Sequence, residues 1–282
     1  MMQQYRLSSQ DCHICILPLF HAAGLTGAMA VMHAGGKNVL LERFDPELTI
    51  QLIEQEKGTF FFNFAPILKM IMDKSEEGSY SLSSLRHVMG LDHPENIERF
   101  LKLAPQAIYW TGFGQTEAMS VTGSSYKEKP GSAGQPSVLS EVVLLDDAGN
   151  GVPVGTEGEI CVRSPTVFLG YWGRDDDTAY TFRDGWHHTG DIGRFDEDGH
   201  LWYVKRKADK ELIKPGGENV YPAEVEMAIL QHEAVAEVIV IGVSDKEWGE
   251  AIKAICVLKP GSHLTPQEII DLKKKKFEGI GE

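Results

Sequence analysis

Short apolar runs alternate with helix-like patterns along the first 130 residues. Five runs are predicted to be buried strands: 14–17, 39–41, 60–64, 85–89 and 107–110. Helices are predicted after Asp45-Pro46, where the aspartate suits an N-cap and the proline the first helical position, and over 67–72. Strands that alternate with helices indicate an α/β fold with a mostly parallel, helix-covered sheet.

The hydrophobic pattern changes after about residue 130, and the run 159–163 alternates with a period of two. Strands are predicted over 142–145, 159–163, 192–195 and 201–204, and the last two flank the turn sequence 196–199. This part is predicted to be a small antiparallel β unit.

A third pattern begins near Lys207, after a basic, polar stretch. It combines a helix opened by Pro222, strands over 238–241 and 252–258, and a capping box at 265–268. We therefore expect a large domain over 1–206, made of an α/β part (1–130) and a β part (131–206). A smaller, incomplete α+β C-terminal domain over 207–282 would follow a hinge near 207–211.

Composition narrows the class of protein. The 282 residues carry 27 Lys plus Arg against 41 Asp plus Glu, a formal net charge of −14, which argues against binding nucleic acid or anionic lipid as the main activity. No apolar run approaches the roughly 20 residues of a membrane span. Four cysteines do not make a disulfide framework, so a reducing cytoplasm fits best. Oligomeric state is left open by these features.

A glycine-rich segment, Thr111-Gly112-Phe113-Gly114-Gln115-Thr116-Glu117, directly follows a predicted strand. Open α/β sheets bind ligands at this edge, and glycines let a backbone approach a ligand closely. The hydroxyl could bind a phosphate and the carboxylate Mg²⁺. A plain strand-to-helix turn explains the same residues equally well.

Two further segments carry polar groups beside turns. Asp191 follows His187-His188-Thr189-Gly190, and its carboxylate could accept hydrogen bonds from a ribose diol or simply from its own turn. A metal site at the paired histidines is disfavoured because adjacent strand residues point to opposite faces. The segment 206–221 joins basic residues to a paired-glycine loop, which could present backbone amides to an anion or serve only as a linker.

Cysteines and lysines elsewhere have simpler interpretations. Cys12 and Cys15 lack the second pair that a structural zinc site needs, so we expect core and edge residues. The lysines at 273–276 suit the solvated end of a helix.

Taken together in this order and spacing, these segments closely resemble the adenylate-forming superfamily, and within it the acyl-CoA synthetases. The resemblance rests on Phe20-His21-Ala22-Ala23-Gly24, Gly-Phe-Gly-Gln-Thr-Glu at 112–117, Gly185-Trp186 with His188-Thr189-Gly190-Asp191, Arg206, and the segment 213–222. It covers the chain from about residue 11 to about residue 270. It implies an ATP-dependent carboxylic acid–CoA ligase, with ATP/AMP, Mg²⁺ and coenzyme A as cofactors and substrates.

The resemblance also implies roles for individual residues. Phe113 would stack on adenine beside Gly112, Gly114 and Gln115, Thr116 would bind phosphate, and Glu117 would ligate Mg²⁺. Asp191 and Arg206 would hold the ribose hydroxyls, and His21 would line the acyl pocket. Lys210 and Glu211 would form the hinge, and Gly216 and Gly217 would face the pantetheine of coenzyme A.

Departures from the family pattern limit these expectations. The family's glycine-rich phosphate loop, normally upstream of His21, and its late lysine in a Pro-x-x-x-x-Gly-Lys context are absent. The spacing from Arg206 to Ile213 is about two residues longer than in many members. Met89-Gly90-Leu91-Asp92-His93-Pro94 stands where the family often has Gly-Gly-Ala-Pro.

The expected function is therefore a fatty-acid-CoA-ligase-like enzyme, present as a chain that lacks both ends and adenylates weakly or not at all by itself. Two alternatives stay open: a non-catalytic remnant that binds nucleotide or assembles with partners, and an adenylation module of a peptide synthetase. The Gly-Gly-Glu-Asn-Val-Tyr-Pro segment favours the CoA ligases over the second alternative. Fatty and aryl acids both remain open as substrates.

Overall fold

A seven-stranded sheet forms the first part of the chain. The structure is a computed structural model that describes residues 5–207, 212–218 and 220–270. The strands are β1 (Cys12–Cys15), β2 (Lys37–Leu40), β3 (Phe60–Phe64), β4 (His87–Leu91), β5 (Ile108–Thr111), β6 (Thr122–Ser125) and β7 (Gln135–Pro136). Their order is β2-β1-β3-β4-β5-β6-β7, with the first five parallel and the last two antiparallel. The predicted mostly parallel sheet is confirmed, and β7 carries it past the predicted change of pattern at residue 130.

Four helices cross between these strands. They are α1 (Ala22–His33), α2 (Pro46–Gln55), α3 (Ile67–Gly78) and α4 (Pro94–Leu103). The predicted start of α2 is confirmed, since the Asp45 carboxylate accepts the Leu48 backbone N–H at 2.7 Å and Pro46 is the first helical residue. Among the described residues, no helix has the length and apolar character of a membrane span.

The sheet is buried on both faces, as β3 shows most clearly. Phe61 packs into a large cluster with residues of α2 and α3, while Phe60 and Phe62 pack into a second cluster with Val31 of α1. Alternate side chains of a strand point to opposite faces, so a continuous aromatic run requires an apolar layer on each side. Helices on both faces supply those layers.

Two predicted strands are displaced by two residues, and the run expected over 14–17 is observed as Cys12–Cys15. The run expected over 85–89 begins instead at His87 and ends at Leu91. Leu85 is fully buried, but it packs beneath the preceding turn, where its N–H bonds the Leu82 carbonyl at 3.1 Å. Hydrophobicity alone therefore marked a core residue and not the first residue of the strand.

A second, antiparallel sheet follows. Its elements are β8 (Glu141–Leu145), β9 (Gly158–Arg163), α5 (Asp175–Thr181), β10 (Phe182–Arg183), β11 (Trp186–Phe195) and β12 (Leu201–Arg206). The sheet order is β10-β11-β9-β8, with β12 paired to β11. The predicted hairpin is confirmed, although β11 begins at Trp186, six residues before the predicted start.

The chain divides into two compact units, Met1–Lys207 and Ala208–Glu282, one residue beyond the predicted boundary. The second unit contains α6 (Pro222–Leu230) and the antiparallel pair β13 (Val235–Asp245) and β14 (Gly249–Leu258). It has its own apolar cluster, in which Val225 and Ile229 of α6 meet Val240. Antiparallel strands with a helix agree with the predicted α+β architecture of this part.

The predicted capping box of the second unit is confirmed. The Thr265 N–H donates to the Glu268 carboxylate at 2.8 Å, and the Glu268 N–H donates to the Thr265 hydroxyl at 3.3 Å. Residues 266–270 are helical.

Candidate functional site

The glycine-rich segment after β5 forms a loop that returns to the same sheet. Residues 112–121 connect β5 to β6, and no helix follows β5. Gln115 and Ala118 exchange backbone hydrogen bonds of 3.0 and 3.2 Å, and the Phe113 N–H donates to the Thr122 hydroxyl at 3.0 Å. The interpretation as a strand-to-helix turn is therefore wrong.

Gly112 shows why a glycine is required in this loop. A Cβ at this position would lie 2.6 Å from the carbonyl oxygen of Thr122 on the returning strand. Any side chain would force β5 and β6 apart, so the glycine serves the fold as well as any ligand.

Gln115 links this loop to the antiparallel sheet. Its Nε2 donates to the Thr189 carbonyl at 2.9 Å and to the Asp191 carboxylate, and its Oε1 lies 3.4 Å from Nε2 of His187. Loop and sheet are thus joined through one side chain, and the carboxylate of Asp191 is oriented by an amide from the loop.

Asp191 and Arg206 lie opposite each other on β11 and β12. They are Cα partners in the antiparallel register, and the Arg206 Nε is 3.6 Å from an oxygen of Asp191. Asp191 is only 2% exposed. The Arg206 Nε is buried and makes no hydrogen bond within the described parts of the chain. Buried polar groups are nearly always satisfied, so this donor beside a buried carboxylate fits a polar ligand such as a ribose diol.

Glu117 is held by the segment that connects β9 to α5. Its Oε1 accepts the Tyr171 hydroxyl at 2.8 Å, and its backbone carbonyl accepts the Phe168 N–H at 2.8 Å. Thr116, next to it, is exposed. One fixed carboxylate beside an exposed hydroxyl fits Mg²⁺ bound jointly with nucleotide phosphates, because Mg²⁺ usually takes one or two protein carboxylates and completes its shell with phosphates and water.

Phe113 and His21 are placed by their own surroundings. Phe113 is 9% exposed and packs with Ala118 and Val121, so its role as an adenine platform stays a prediction. His21 is the N-cap of α1, where its Nδ1 accepts the Ala23 N–H at 3.1 Å. Since Nδ1 is the acceptor, Nε2 is the nitrogen left to carry a proton in the neutral ring.

The predicted coenzyme A glycines lie in the second unit. Gly216 and Gly217 adopt φ values of 60° and 87° in a short 3₁₀ turn, a conformation that favours glycine. The Gly216 N–H donates to the Trp248 carbonyl at 2.9 Å. The predicted hinge residues Lys210 and Glu211 lie outside the described residues.

The side chains of the two adjacent histidines contact different residues, as expected because neighbouring residues of a strand point to opposite faces. His187 Nδ1 lies 3.2 Å from the Thr181 hydroxyl, whereas His188 Nδ1 lies 3.0 Å from the Glu159 carboxylate. Cys12 and Cys15 are both buried in β1, an interior strand, so the prediction of core residues is confirmed and that of edge residues is wrong.

Sequence reasoning missed one cluster, formed by Glu159, Cys161 and His188. Their candidate ligand atoms all lie within 4.8 Å of one another. Alternation along β9 puts Glu159 and Cys161 on one face, a signal visible in the sequence, but the pairing of Cys161 with His188 is not. Lys207 already neutralises the carboxylate, with its Nζ 3.1 Å from Glu159.

Two family profiles match the sequence. The sequence profile of the AMP-binding enzyme family matches residues 1–172, and that of the AMP-binding enzyme C-terminal domain matches residues 224–281.

Curated relatives and solved structures extend the match over nearly the whole chain. A feruloyl-CoA synthase of Amycolatopsis sp. is 37% identical over 97% of this chain and 56% of its own length. A long-chain-fatty-acid–CoA ligase of Bacillus subtilis (strain 168) is 36% identical over 90% of this chain and 46% of its own. The structure of a double mutant of o-succinylbenzoate CoA synthetase from Bacillus subtilis, bound with its product analogue, has a TM-score of 0.86 at 30% identity. This structural match covers 97% of this chain and 56% of the synthetase chain.

These matches lead to one assignment. The chain spans about half the length of the curated relatives it matches, and it belongs to the AMP-binding enzyme family.

Proposed function

We propose that the protein acts as an acyl-CoA ligase. A carboxylate oxygen would attack the α-phosphate of ATP and release pyrophosphate, leaving an acyl-adenylate. The thiol of coenzyme A would then attack the acyl carbon, forming the thioester and releasing AMP. The observation that carries this proposal is the pairing of the buried Asp191 with the partly exposed Arg206, together with the amide of Gln115 directed at the same carboxylate.

These residues suit the ribose of the nucleotide. A carboxylate can accept hydrogen bonds from two neighbouring hydroxyls, and the guanidinium can donate to the same oxygens. The buried setting strengthens each of these bonds relative to water. Because Gln115 also bonds the Thr189 carbonyl, the carboxylate is held in place before a ligand arrives.

The phosphates are assigned to the exposed end of the same loop. Thr116 would donate its hydroxyl, and Glu117, fixed by Tyr171, would hold Mg²⁺. When bound, Mg²⁺ would supply positive charge that offsets the charge gathered at the phosphates while the acid attacks the α-phosphate. Thr116 and Glu117 would orient the phosphates of the nucleotide.

The acid is assigned to the side of His21. We propose a carboxylic acid with an apolar body, either an aryl or a fatty acid, since the names of two relatives point to these two classes. His21 lies at the start of α1 with its ring 5.7 Å from that of Phe64, which gives the proposed pocket one polar and one aromatic wall.

A reducing cytoplasm is the proposed location, with all four thiols free.

This chain by itself is expected to adenylate weakly or not at all. It lacks the family's glycine-rich phosphate loop and its late lysine. ATP–pyrophosphate exchange over a panel of carboxylic acids tests this point. Exchange at the rate of a complete ligase would contradict it.

Nucleotide binding tests the proposal itself. We expect AMP to bind the chain in a calorimetric titration, and Asp191→Ala to weaken binding by about tenfold or more, because two charge-assisted hydrogen bonds are lost. Asp198→Asn is the matched control, since this exposed carboxylate sits at the turn of the same hairpin and pairs with Lys129. An unchanged affinity in the Asp191 variant, or no binding by the wild-type chain, would refute the proposal.

A further inference from the structure

The carboxylate of Glu159 is buried beside the proposed ribose site without touching it. The residue is 4% exposed, and its two oxygens contact three donors. Oε1 accepts the Gly190 N–H at 2.9 Å, and Oε2 lies 3.0 Å from His188 Nδ1 and 3.1 Å from Lys207 Nζ. A buried carboxylate persists only where such partners replace water, so this geometry is specifically built.

Two of the three residues that Glu159 contacts are sequence neighbours of a ribose-site residue: Gly190, through its backbone N–H, and Lys207, through its side-chain ammonium. Gly190 directly precedes Asp191 on β11, and Lys207 directly follows Arg206 at the end of β12. The two backbones also meet each other, since the Lys207 N–H donates to the Gly190 carbonyl at 2.8 Å. One carboxylate therefore secures both strands at the point where Asp191 faces Arg206.

The ladder between β9 and β11 explains why a side chain is needed here. The register shifts between His188 and Ile192, so regular pairing with β9 is interrupted across Asp191. Gly190, at φ 72°, turns its N–H toward Glu159 instead of a strand carbonyl. The Thr189 hydroxyl completes the irregular turn by donating to the Ile160 carbonyl at 2.7 Å and accepting the Asp191 N–H at 3.0 Å. The irregular turn directs the Asp191 carboxylate toward Arg206, and the hydrogen bond from the Gly190 N–H to Glu159 holds that turn in place.

A metal at this cluster is the competing explanation, and the charges disfavour it. Burial, reinforced by the neighbouring Glu159, raises the pKa of the Cys161 thiol to about 12, whereas a metal takes the thiolate. Lys207 and Arg183, at 3.1 and 3.8 Å from the Glu159 carboxylate, already supply its positive partners.

We propose that Glu159 and Lys207 are positioning residues that hold Asp191 and Arg206 in place for the vicinal hydroxyls of a nucleotide ribose. This inference rests on the proposed function, because it presumes that Asp191 and Arg206 bind the ribose. Glu159 acts through the Gly190 backbone and Lys207, and neither residue contacts the nucleotide.

The test compares AMP with 2′,3′-dideoxy-AMP, which lacks both hydroxyls, by calorimetric titration of the whole chain. The wild-type chain is expected to prefer AMP. Glu159→Gln keeps the shape of the side chain but removes the charge that pairs with Lys207. This variant is expected to weaken the binding of AMP by about tenfold and to leave the affinity for the dideoxy nucleotide nearly unchanged. Only the contacts to the ribose hydroxyls depend on the positions of Asp191 and Arg206.

A second variant keeps the test decisive if Glu159→Gln does not fold. Lys207→Met retains the apolar stem of a partly exposed side chain, and it is expected to reduce the preference for AMP in the same direction. Asp147→Asn is the matched control: it removes the other partner of Lys207, an exposed carboxylate 3.1 Å from Nζ, and is expected to leave the preference intact.

The outcomes separate the two proposals. If the wild-type chain does not bind AMP, or does not prefer it to the dideoxy nucleotide, the assignment of the ribose site fails and the inference fails with it. If the wild-type chain prefers AMP and the variants keep that preference, or lose affinity for both nucleotides equally, the positioning role alone is overturned.

Discussion

The burial of His13 predicts a specific pH dependence of stability. The side chain lies in β1 at 1% exposure, with Nδ1 2.9 Å from the Asn38 Oδ1 and its ring 5.0 Å from that of Phe60. Burial lowers the pKa of His13 to about 4, and the hydrogen bond to Asn38 offsets only part of this effect. The imidazole is therefore neutral in the folded protein at pH values where an unfolded chain protonates it.

The magnitude follows from the two pKa values. An unfolded histidine titrates near pH 6.5, so below that pH the unfolded state binds one proton more than the folded state and stability falls. The loss continues until the pH passes the folded value of about 4. At pH 5 the accumulated loss amounts to about 2 kcal/mol relative to pH 7.5.

Urea unfolding of the wild-type chain and of His13→Gln at both pH values measures this contribution. The wild-type first unit is expected to lose about 2 kcal/mol more than the variant between pH 7.5 and pH 5, since glutamine does not titrate. His33→Gln, an exposed histidine in the last turn of α1, is the control and should follow the wild type. Equal losses in the wild type and His13→Gln would refute the reasoning.

Two substitutions elsewhere test the packing. Gly90→Ala is expected to cost about 4 kcal/mol or more of stability, because a Cβ there would lie 1.7 Å from the Asn63 carbonyl oxygen at a φ of 155°. The control Gly149→Ala, also at positive φ but with nothing within 4 Å, should cost about 1–2 kcal/mol; equal costs by thermal unfolding would contradict the steric account. Asp45→Ala is expected to cost about 1 kcal/mol in the same assay, since it removes the cap that accepts the Leu48 N–H, and an unchanged midpoint would argue against that cap.

Local signals in the sequence were sufficient for some elements. The Asp45-Pro46 start of α2 and the box at Thr265 and Glu268 are confirmed because their partners lie within three residues along the chain. Strands β8 and β9 were also predicted, β8 from a continuous apolar run and β9 from an alternating one, although β9 is buried on both faces.

Elements that depend on residues far away in the sequence could not be predicted from local patterns. Helix α1 was not predicted because its apolar residues show no helical period and its N-cap, His21, is not among the favoured capping residues. The sequence of the first half of β11 is typical of a turn, since it contains Thr189 and Gly190. It forms a strand only through pairing with β9.

The site itself was predicted by resemblance more than by local chemistry. A glycine-rich segment is compatible with a strand-to-helix turn and with a returning loop, and the approach of Gly112 to the Thr122 carbonyl selects the second. The convergence of Glu159, His188 and Lys207 depends on a register shift that no local pattern encodes. Such irregularities are common beside functional sites.

A crystal structure of this chain with AMP would locate the ribose of the nucleotide. We expect both ribose hydroxyl oxygens to lie at hydrogen-bond distance, about 2.6–3.2 Å, from the Asp191 carboxylate or the Arg206 guanidinium, with Gln115 still bonded to Asp191. AMP bound with its ribose away from Asp191 and Arg206 would contradict that expectation.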